Sequence, residues 1–293
     1  MPASADVLRP SGWLERRVIA YAHQGGAWEA PSSTLHAIAS ALDAGATGIE
    51  LDVHATADGR LVVTHDPTVD RTTDRTGAIA DLTYDELAGM DNAYWWAPGA
   101  DVSPGLGPEE YPFRGRAPGD HRFGIALLEE VLEAFPGVVL NLDIKQTAPV
   151  VAPYEEALAA LLRRYNRVDD VIVASFLDTA TESFATFAPE VPTSAGTAAV
   201  AAFYQAVQAG ETPAPLTHVA LQVPSRVGDM TLVDRRFVEV AHDQGLAVHV
   251  WTIEEEDEMR DLCALGVDGI FTDRPTALVG VLAELGCAWR PGD

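Results

Sequence analysis

The chain has 293 residues, of which 47% are hydrophobic and 22% are charged, a composition typical of a globular protein with one large α/β domain or two small ones. Its 44 acidic and 19 basic residues give a formal net charge of −25. This charge argues against a nucleic-acid partner and against electrostatic docking on anionic lipid. A protein this acidic that handles an anionic substrate needs local positive charge, from a metal ion or a well-placed lysine.

The sequence also carries signals about compartment. Its two cysteines, Cys263 and Cys287, show neither metal-ligand spacing nor a disulfide framework, so we expect a reducing, cytoplasmic location. The N-terminus lacks a basic segment followed by a long apolar one, which predicts no signal peptide. No apolar run reaches ~18 residues, so no membrane span is expected. The sequence leaves the oligomeric state open.

The first predicted elements are a buried strand and a helix, followed by a hairpin. The strand covers Arg17–His23, and the helix covers Leu35–Ala44. A second strand, Thr47–Thr56, precedes the tight-turn pair Asp58-Gly59. Leu61–His65 is the predicted return arm of this hairpin, which brings His65 back beside the sheet.

Residues 67–124 differ from their surroundings and are predicted to form an insertion after the second strand. They hold a polar loop, a short predicted helix at Leu82–Met90 and a run rich in proline and glycine. Tyr94, Trp95 and Trp96 in this segment have two interpretations. They contact substrate as part of a lid, or they pack the insertion's own small core.

From residue 127 onward, predicted helices and strands alternate regularly. The helices are Leu127–Phe135, Tyr154–Asn166, Thr179–Phe187, Val200–Gln208, Asp234–Gly245, Glu254–Leu265 and Thr276–Leu285. The strands are Val138–Lys145, Val171–Phe176, Thr193–Gly196, His218–Pro224, Ala247–Ile253 and Gly269–Asp273. Without the His65 arm this makes eight strands joined by crossover helices. We therefore predict a single (β/α)8 TIM-barrel domain over residues 1–293, with the insertion at 67–124.

Charged residues gather at the predicted carboxyl ends of these strands, where barrels carry their chemistry. Glu50 and Asp52 are two residues apart on one strand, so they share a face, and Asp143 and Lys145 repeat this spacing. Neighbouring buried carboxylates resist ionisation, and a bound cation relieves this. Oxygen ligands suit Mg²⁺ or Ca²⁺, so the three carboxylates are a candidate site for one divalent metal ion.

Other residues complete the candidate site. His23 and His65, with ordinary pKa values of ~6.5, are suited to work as a general acid and base. Lys145 is a candidate phosphate ligand, and Trp251 offers an apolar wall. A lone strand histidine is more often structural and a lone Asp-x-Lys is usually a salt bridge, but convergence at one barrel mouth favours function. His54 shares the face of Glu50, and we expect a structural place for it.

Several motifs occur in the order found in the glycerophosphodiester phosphodiesterase family, which the chain resembles over roughly residues 18–280. In the first half the matches are His23-Gln24-Gly25, Pro31-Ser32-Ser33-Thr34, Glu50-Leu51-Asp52, Thr56-Ala57-Asp58-Gly59, His65-Asp66 and Asp70-Arg71-Thr72-Thr73. In the second half they are Asp143-Ile144-Lys145, Ser175-Phe176, Trp251-Thr252 and the segment from Asp268 to Asp273. The ordered set is highly specific, although no single motif is.

The resemblance implies metal-dependent hydrolysis of glycerophosphodiesters to an alcohol and glycerol 3-phosphate. It assigns the acid–base pair to His23 and His65, and phosphate binding to Lys145. The metal ligands it implies are Glu50, Asp52 and Asp143. It leaves open whether water or the substrate's own glycerol hydroxyl attacks, and the latter route passes through a cyclic phosphate.

The chain departs from the family pattern at three places. Gln24 stands at the substrate-binding position of the family arginine, and Ser32 and Ser33 replace Glu-Asn. We hypothesise that the missing arginine and acid normally pair, so that losing both avoids an unpaired buried charge. Asp143 replaces a glutamate, which also resembles the related phospholipase D toxins. Two alternatives thus stay open, a phosphodiesterase or lyase acting on lysophospholipids and a non-catalytic barrel that binds phosphodiesters.

Overall fold

The computed structural model describes residues 12–291, and every structural statement below refers to that part of the chain. In chain order the strands are β1 (Ile19–Ala22), β2 (Gly48–Ala55), β3 (Leu61–Val63), β4 (Val139–Ile144), β5 (Val171–Ala174), β6 (Ala220–Pro224), β7 (Arg226–Val227), β8 (Met230–Thr231), β9 (Ala247–Trp251) and β10 (Gly269–Thr272). The α-helices are α1 (Leu35–Ala44), α2 (Tyr84–Leu87), α3 (Leu128–Ala134), α4 (Glu155–Arg164), α5 (Asp178–Phe187), α6 (Thr197–Ala209), α7 (Arg235–Asp243), α8 (Glu256–Leu265) and α9 (Pro275–Leu285).

The strands curl into a parallel sheet with the order β5-β4-β2-β1-β10-β9-β6, and β3 pairs antiparallel with β2. The two ends of this sheet are joined by a short segment, because Thr193 bridges to Val173 of β5 and Ser194 bridges to Ala220 of β6. The predicted strand at 193–196 is therefore reduced to two bridging residues. With it the ring has eight parallel positions, and the predicted (β/α)8 fold is confirmed.

The alternation of side chains along β2 sorts them between two layers. Leu51 and Val53 are buried among the helices outside the sheet, whereas Tyr21 of β1 lies in the barrel interior and stacks on Phe271 at 4.4 Å between ring centroids. Gly48 opens β2 beside this stack, and a Cβ there would lie 2.5 Å from the Tyr21 ring. Only glycine at position 48 leaves room for the Tyr21 ring in the barrel interior.

The insertion packs on the barrel through its aromatic residues. Trp96 is buried and donates a hydrogen bond to the carbonyl of Ala27 at 2.8 Å, in the loop that follows β1. Trp95 donates to the carbonyl of Thr73 at 2.7 Å. The predicted helix at 82–90 is shortened to α2. Trp96 thus anchors the insertion to the barrel, whereas Trp95 bonds within the insertion. Both rings also pack on aromatic residues of the insertion, Trp95 on Tyr111 and Trp96 on Phe113, as the packing interpretation predicts.

One element has no counterpart among the predictions. Strands β7 and β8, of two residues each, form a hairpin with Arg226 opposite Thr231 and Val227 opposite Met230. Its residues are exposed, and it follows directly on the carboxyl end of β6. Among residues 12–291, no helix combines the length and apolar character needed to cross a membrane.

Candidate active site

A cavity of about 680 Å³ opens at the carboxyl ends of the barrel strands. Strands β1, β2 and β4 and the loop after β3 bring the predicted charged residues to this cavity. Those that line it are His23, Glu50, Asp52, His65, Asp143 and Lys145. The structure thus gathers in one place residues that are up to 122 positions apart in the chain.

Three buried carboxylates form the floor of the site. Glu50 and Asp52 share one face of β2, and the parallel register places Asp52 opposite Asp143 on β4. Burial and the charge of Asp52 raise the pKa of Glu50 to about 8. Burial also raises the pKa of Asp143 to about 6, although Lys145 opposes the shift. Both shifts show that this floor resists holding negative charge without a cation.

Lys145 supplies part of that positive charge. Its Nζ lies 3.2 Å from Oδ1 of Asp52 and 3.4 Å from Oδ2 of Asp143. Burial lowers the pKa of Lys145, but the two aspartates outweigh this and the net direction is upward. Its ammonium group is therefore charged and lies between the carboxylates and the cavity wall, 5.8 Å from the centroid of the Phe176 ring.

His23 follows β1 in a 3-10 turn. Gly25 in this turn has φ of 82°, and a Cβ there would lie 2.9 Å from Cβ of Ala37, so glycine allows the turn to pack on α1. Nδ1 of His23 lies 2.7 Å from Oδ1 of Asp273, and Nε2 lies 3.8 Å from Oε2 of Glu50. Burial lowers the pKa of His23, but its hydrogen bond to Asp273 and the nearby acidic charges raise it to about 9.

His65 has a carboxylate partner of its own. Its Nδ1 lies 2.7 Å from Oδ1 of the adjacent Asp66. Arg71 donates to the other oxygen of Asp66 at 2.6 Å and also pairs with Asp101 in the insertion. Hydrogen bonds from His65 and Arg71 hold the pKa of Asp66 well below its usual range. Asp66 is thus ionised and suited to accept a hydrogen bond from His65.

The remaining predicted residues have different positions. Trp251 lines the cavity, as expected for an apolar wall. Gln24 is buried, its backbone N–H donates to Oε2 of Glu50 at 3.0 Å, and its side-chain amide lies 3.2 Å from Nε2 of His23. Gln24 contacts the histidine and is not among the described residues that line the cavity. His54 is buried with Nε2 3.3 Å from the carbonyl of His65, which agrees with the expected structural place.

The partners of the two histidines were not predicted from the sequence. Asp273 was noted at a strand end without a role, and it pairs with a histidine 250 positions away. Asp66 and Arg71 both lie within motifs of the family, and membership of those motifs was the sequence signal that could have assigned them to the site. Phe176 also belongs to one of the motifs. Its ring lies 5.5 Å from that of Trp251, a contact that the sequence does not predict because it depends on closure of the barrel.

The carboxylate floor fits a divalent cation in its donor chemistry. Oδ2 of Asp52 and Oδ1 of Asp143 are buried and have no hydrogen-bond partner, and buried carboxylate oxygens in this state are ligands that Mg²⁺ and Ca²⁺ prefer. No three His, Cys, Asp or Glu side chains of residues 12–291 are already arranged as a metal-ion ligand set. Lys145 instead lies between the two aspartates, so binding of a cation requires these side chains to adjust.

Histidines, carboxylates and a lysine around one cavity at the strands' carboxyl ends define a barrel enzyme with groups able to transfer protons and bind an anion. A family model described as the glycerophosphoryl diester phosphodiesterase family matches residues 23–277. The chain therefore belongs to this family, which confirms the resemblance and the prediction that it is an enzyme of this class.

Known proteins match over nearly the whole chain. A glycerophosphodiester phosphodiesterase of Caldanaerobacter subterraneus subsp. tengcongensis is 28% identical over 92% of this chain and 100% of its own. The crystal structure of a glycerophosphodiester phosphodiesterase from Agrobacterium tumefaciens is 25% identical, with a TM-score of 0.67 over 91% of this chain and 99% of its own. A phosphodiesterase of Oleispira antarctica, solved with its product sn-glycerol-3-phosphate, is 23% identical, with a TM-score of 0.69 over 92% and 99%.

Proposed function

We propose that this enzyme hydrolyses small-molecule glycerophosphodiesters to an alcohol and glycerol 3-phosphate. The observation that carries the proposal is the pair of histidines. His23 and His65 each lie 2.7 Å from a carboxylate at Nδ1, and both line the cavity that contains Lys145. The Oleispira antarctica relative, whose product is sn-glycerol-3-phosphate, supports this choice of substrate.

His23 is the general acid and His65 the general base in this proposal. The raised pKa of His23, about 9, keeps it protonated at neutral pH. His65, oriented by Asp66, takes the proton of the attacking hydroxyl as the new bond to phosphorus forms. The bond between phosphorus and the departing oxygen breaks, and His23 gives its proton to that oxygen, so the alcohol leaves neutral.

The amide of Gln24 is compatible with a protonated His23. Oε1 of Gln24 is buried and has no hydrogen-bond partner, while its amide nitrogen lies beside Nε2 of His23. Rotation of the amide by 180° makes Oε1 the acceptor of the Nε2 proton in the free enzyme, and the departing oxygen of the substrate takes its place when the substrate binds. Gln24 then supports the charged ring without adding a positive charge.

Lys145 binds a phosphate oxygen through its ammonium group, which faces the cavity. Glu50, Asp52 and Asp143 are the residues that would hold a divalent cation, either Mg²⁺ or Ca²⁺. When bound, such a cation supplies positive charge that compensates the carboxylates and polarises the phosphoryl group. The two unpartnered aspartate oxygens support this part of the proposal.

The test is release of glycerol 3-phosphate from glycerophosphocholine, with Mg²⁺, with Ca²⁺ and with a chelator. We expect release that needs the metal and that falls about 10²- to 10⁴-fold in His23→Ala. His121→Ala is the matched control, because His121 pairs with Glu130 outside the cavity. Equal rates with chelator would overturn the metal assignment, an active His23→Ala would overturn the acid role, and no release under any condition would overturn the function.

A further inference from the structure

The two sides of the barrel mouth differ in charge: charged residues line the cavity on one side, and uncharged residues line it on the other. All the charged residues that line the cavity come from β1, β2, β4 and the loop after β3. The opposite side is built from the ends of β5, β6 and β9, the start of α6 and the β7–β8 hairpin. Its larger apolar residues that are not fully buried, here called the apolar wall, are Phe176, Val200, Tyr204, Val227, Met230 and Trp251.

The six residues of the apolar wall line the same cavity, and the wall begins next to the charged floor. Phe176 lies with its ring centroid 5.8 Å from Nζ of Lys145 and contacts Trp251 edge-on at 5.5 Å. Farther out, the hydroxyl of Tyr204 on α6 donates to the carbonyl of Thr231 in the hairpin at 3.4 Å. This contact joins α6 to the hairpin, so the wall extends from the phosphate-binding lysine to the outer surface.

Several side chains of the wall expose apolar surface that a ligand would cover. Phe176 is 55% exposed, Val227 54% and Met230 44%. They are three of the eight large apolar side chains that are exposed among the described residues. Covering such surface is favourable at about 25 cal/mol per Å², and apolar patches gathered beside a cavity mark binding sites.

We propose that the apolar wall binds a single hydrocarbon chain carried by the substrate, so that acylated glycerophosphodiesters are preferred over unacylated ones. This inference rests on the proposed function. Because the wall and Lys145 line the same cavity, with Phe176 5.8 Å from Nζ of Lys145, a chain on the wall leaves the phosphate of the same molecule at the charged floor. The described residues that line the cavity on this side include no charged group, so a charged substituent against them would lose water without gaining a partner.

The reaction is the same hydrolysis with a longer substrate. For an acyl-glycerophosphocholine, the water oxygen bonds to phosphorus and the bond from phosphorus to the choline oxygen breaks. The choline oxygen receives a proton from the acid, and the water gives one to the base. The products are choline and the acylated glycerol 3-phosphate, and no further reactant is needed.

The experiment compares glycerophosphocholine with its hexanoyl, octanoyl and decanoyl 1-acyl derivatives, each below its micelle concentration, and measures choline release. A buried methylene is worth about 0.8 kcal/mol, or threefold to fourfold in affinity. We therefore expect kcat/KM to rise by at least about tenfold from the unacylated to the decanoyl substrate, since only part of the chain is covered.

Variants of the hairpin test whether the wall is responsible. The double variant Val227→Thr, Met230→Gln keeps side-chain size and adds polarity. We expect it to reduce the ratio of decanoyl to unacylated kcat/KM towards one, whereas Met230→Leu keeps the ratio. Leu285→Gln is the matched control, because Leu285 has the same 44% exposure as Met230 but lies at the end of α9, outside the cavity.

The possible failures are distinguishable. Choline release from glycerophosphocholine with no gain from acylation overturns this inference and leaves the proposed function standing. No release from any substrate overturns the function itself. If glycerophosphoethanolamine is a much poorer substrate than glycerophosphocholine and acylation gives no gain, the aromatic rings bind the trimethylammonium group, and the hydrocarbon proposal is wrong. A chain-length gain that persists in the double variant overturns the role of the hairpin.

Discussion

His65 is oriented by a series of side chains that reaches into the insertion. Asp101 pairs with Arg71, Arg71 with Asp66, and Asp66 with the ring of His65. Each partner fixes the next, so a histidine on a loop gains a defined ring orientation. The insertion thus contributes to the site through Asp101 and Arg71, while Trp96 anchors it to the barrel.

Substitution of Asp66 tests this arrangement. Asp66→Asn keeps the size of the side chain but removes the carboxylate that accepts from Nδ1 of His65 and orients its ring. We expect kcat to fall by about 10²-fold, within the range attributed to general acid–base catalysis, with a small change in KM. Steady-state kinetics checks this, with thermal unfolding to confirm the fold. Asp74→Asn, at an exposed aspartate paired with Arg75, is the control; an equal loss there would argue for a general effect of charge.

Gln24 tests the hypothesis that an arginine and an acid were lost together. Gln24 and Ser33 are adjacent, since the Ser33 N–H donates to the Gln24 carbonyl at 2.8 Å. Gln24 and Ser32 are both buried. A guanidinium introduced alone lacks a partner acid, so we expect Gln24→Arg to lower the melting temperature and Ser32→Glu in the same chain to recover part of it. If Gln24→Arg alone raises both activity and melting temperature, the pairing hypothesis is wrong.

Among the elements, the sequence predicted those whose residues carry a regular pattern. Strands such as β2 and β4 alternate apolar residues with polar ones that include the carboxylates, so both their existence and their functional residues were visible. The hairpin of β7 and β8 was missed because two-residue strands, exposed on both arms, are too short to show alternation. The pairing of His23 with Asp273 was missed because it depends on β1 and β10 being neighbours in the closed ring.

The start of β2 offers a test at the element scale. Gly48→Ala places a methyl group against the Tyr21 ring inside the barrel. Overpacking of this kind costs about 1–3 kcal/mol of unfolding free energy. Gly280→Ala is the matched control, because Gly280 is exposed within α9 and a Cβ there meets nothing within 4 Å. It is expected to stabilise by up to about 1 kcal/mol. Urea unfolding of both variants measures the difference, and equal effects would contradict the packing argument.

At the scale of the whole molecule, the charge of the protein opposes the charge of its proposed substrate. The net charge is −25, so the field around the molecule repels a phosphodiester anion before it reaches the cavity. Lys145 and protonated His23 supply positive charge only locally, beside the carboxylates of the site. Among residues 12–291, Lys145 is the only lysine that lines the cavity, and no arginine lines it. Substrates without net charge therefore reach the site more easily than anionic ones.

This repulsion makes the ionic-strength dependence differ between two substrates. Glycerophosphoglycerol carries one net negative charge, whereas glycerophosphocholine is a zwitterion. Salt shortens the Debye length from about 30 Å at 0.01 M to about 8 Å at 0.15 M, which screens the distant acidic residues. We expect kcat/KM for glycerophosphoglycerol to rise severalfold over this range at fixed divalent metal, while the value for glycerophosphocholine stays flat. A fall for glycerophosphoglycerol would mean that the local attraction of Lys145 and His23 outweighs the field of the whole protein, since salt would then screen attraction instead of repulsion.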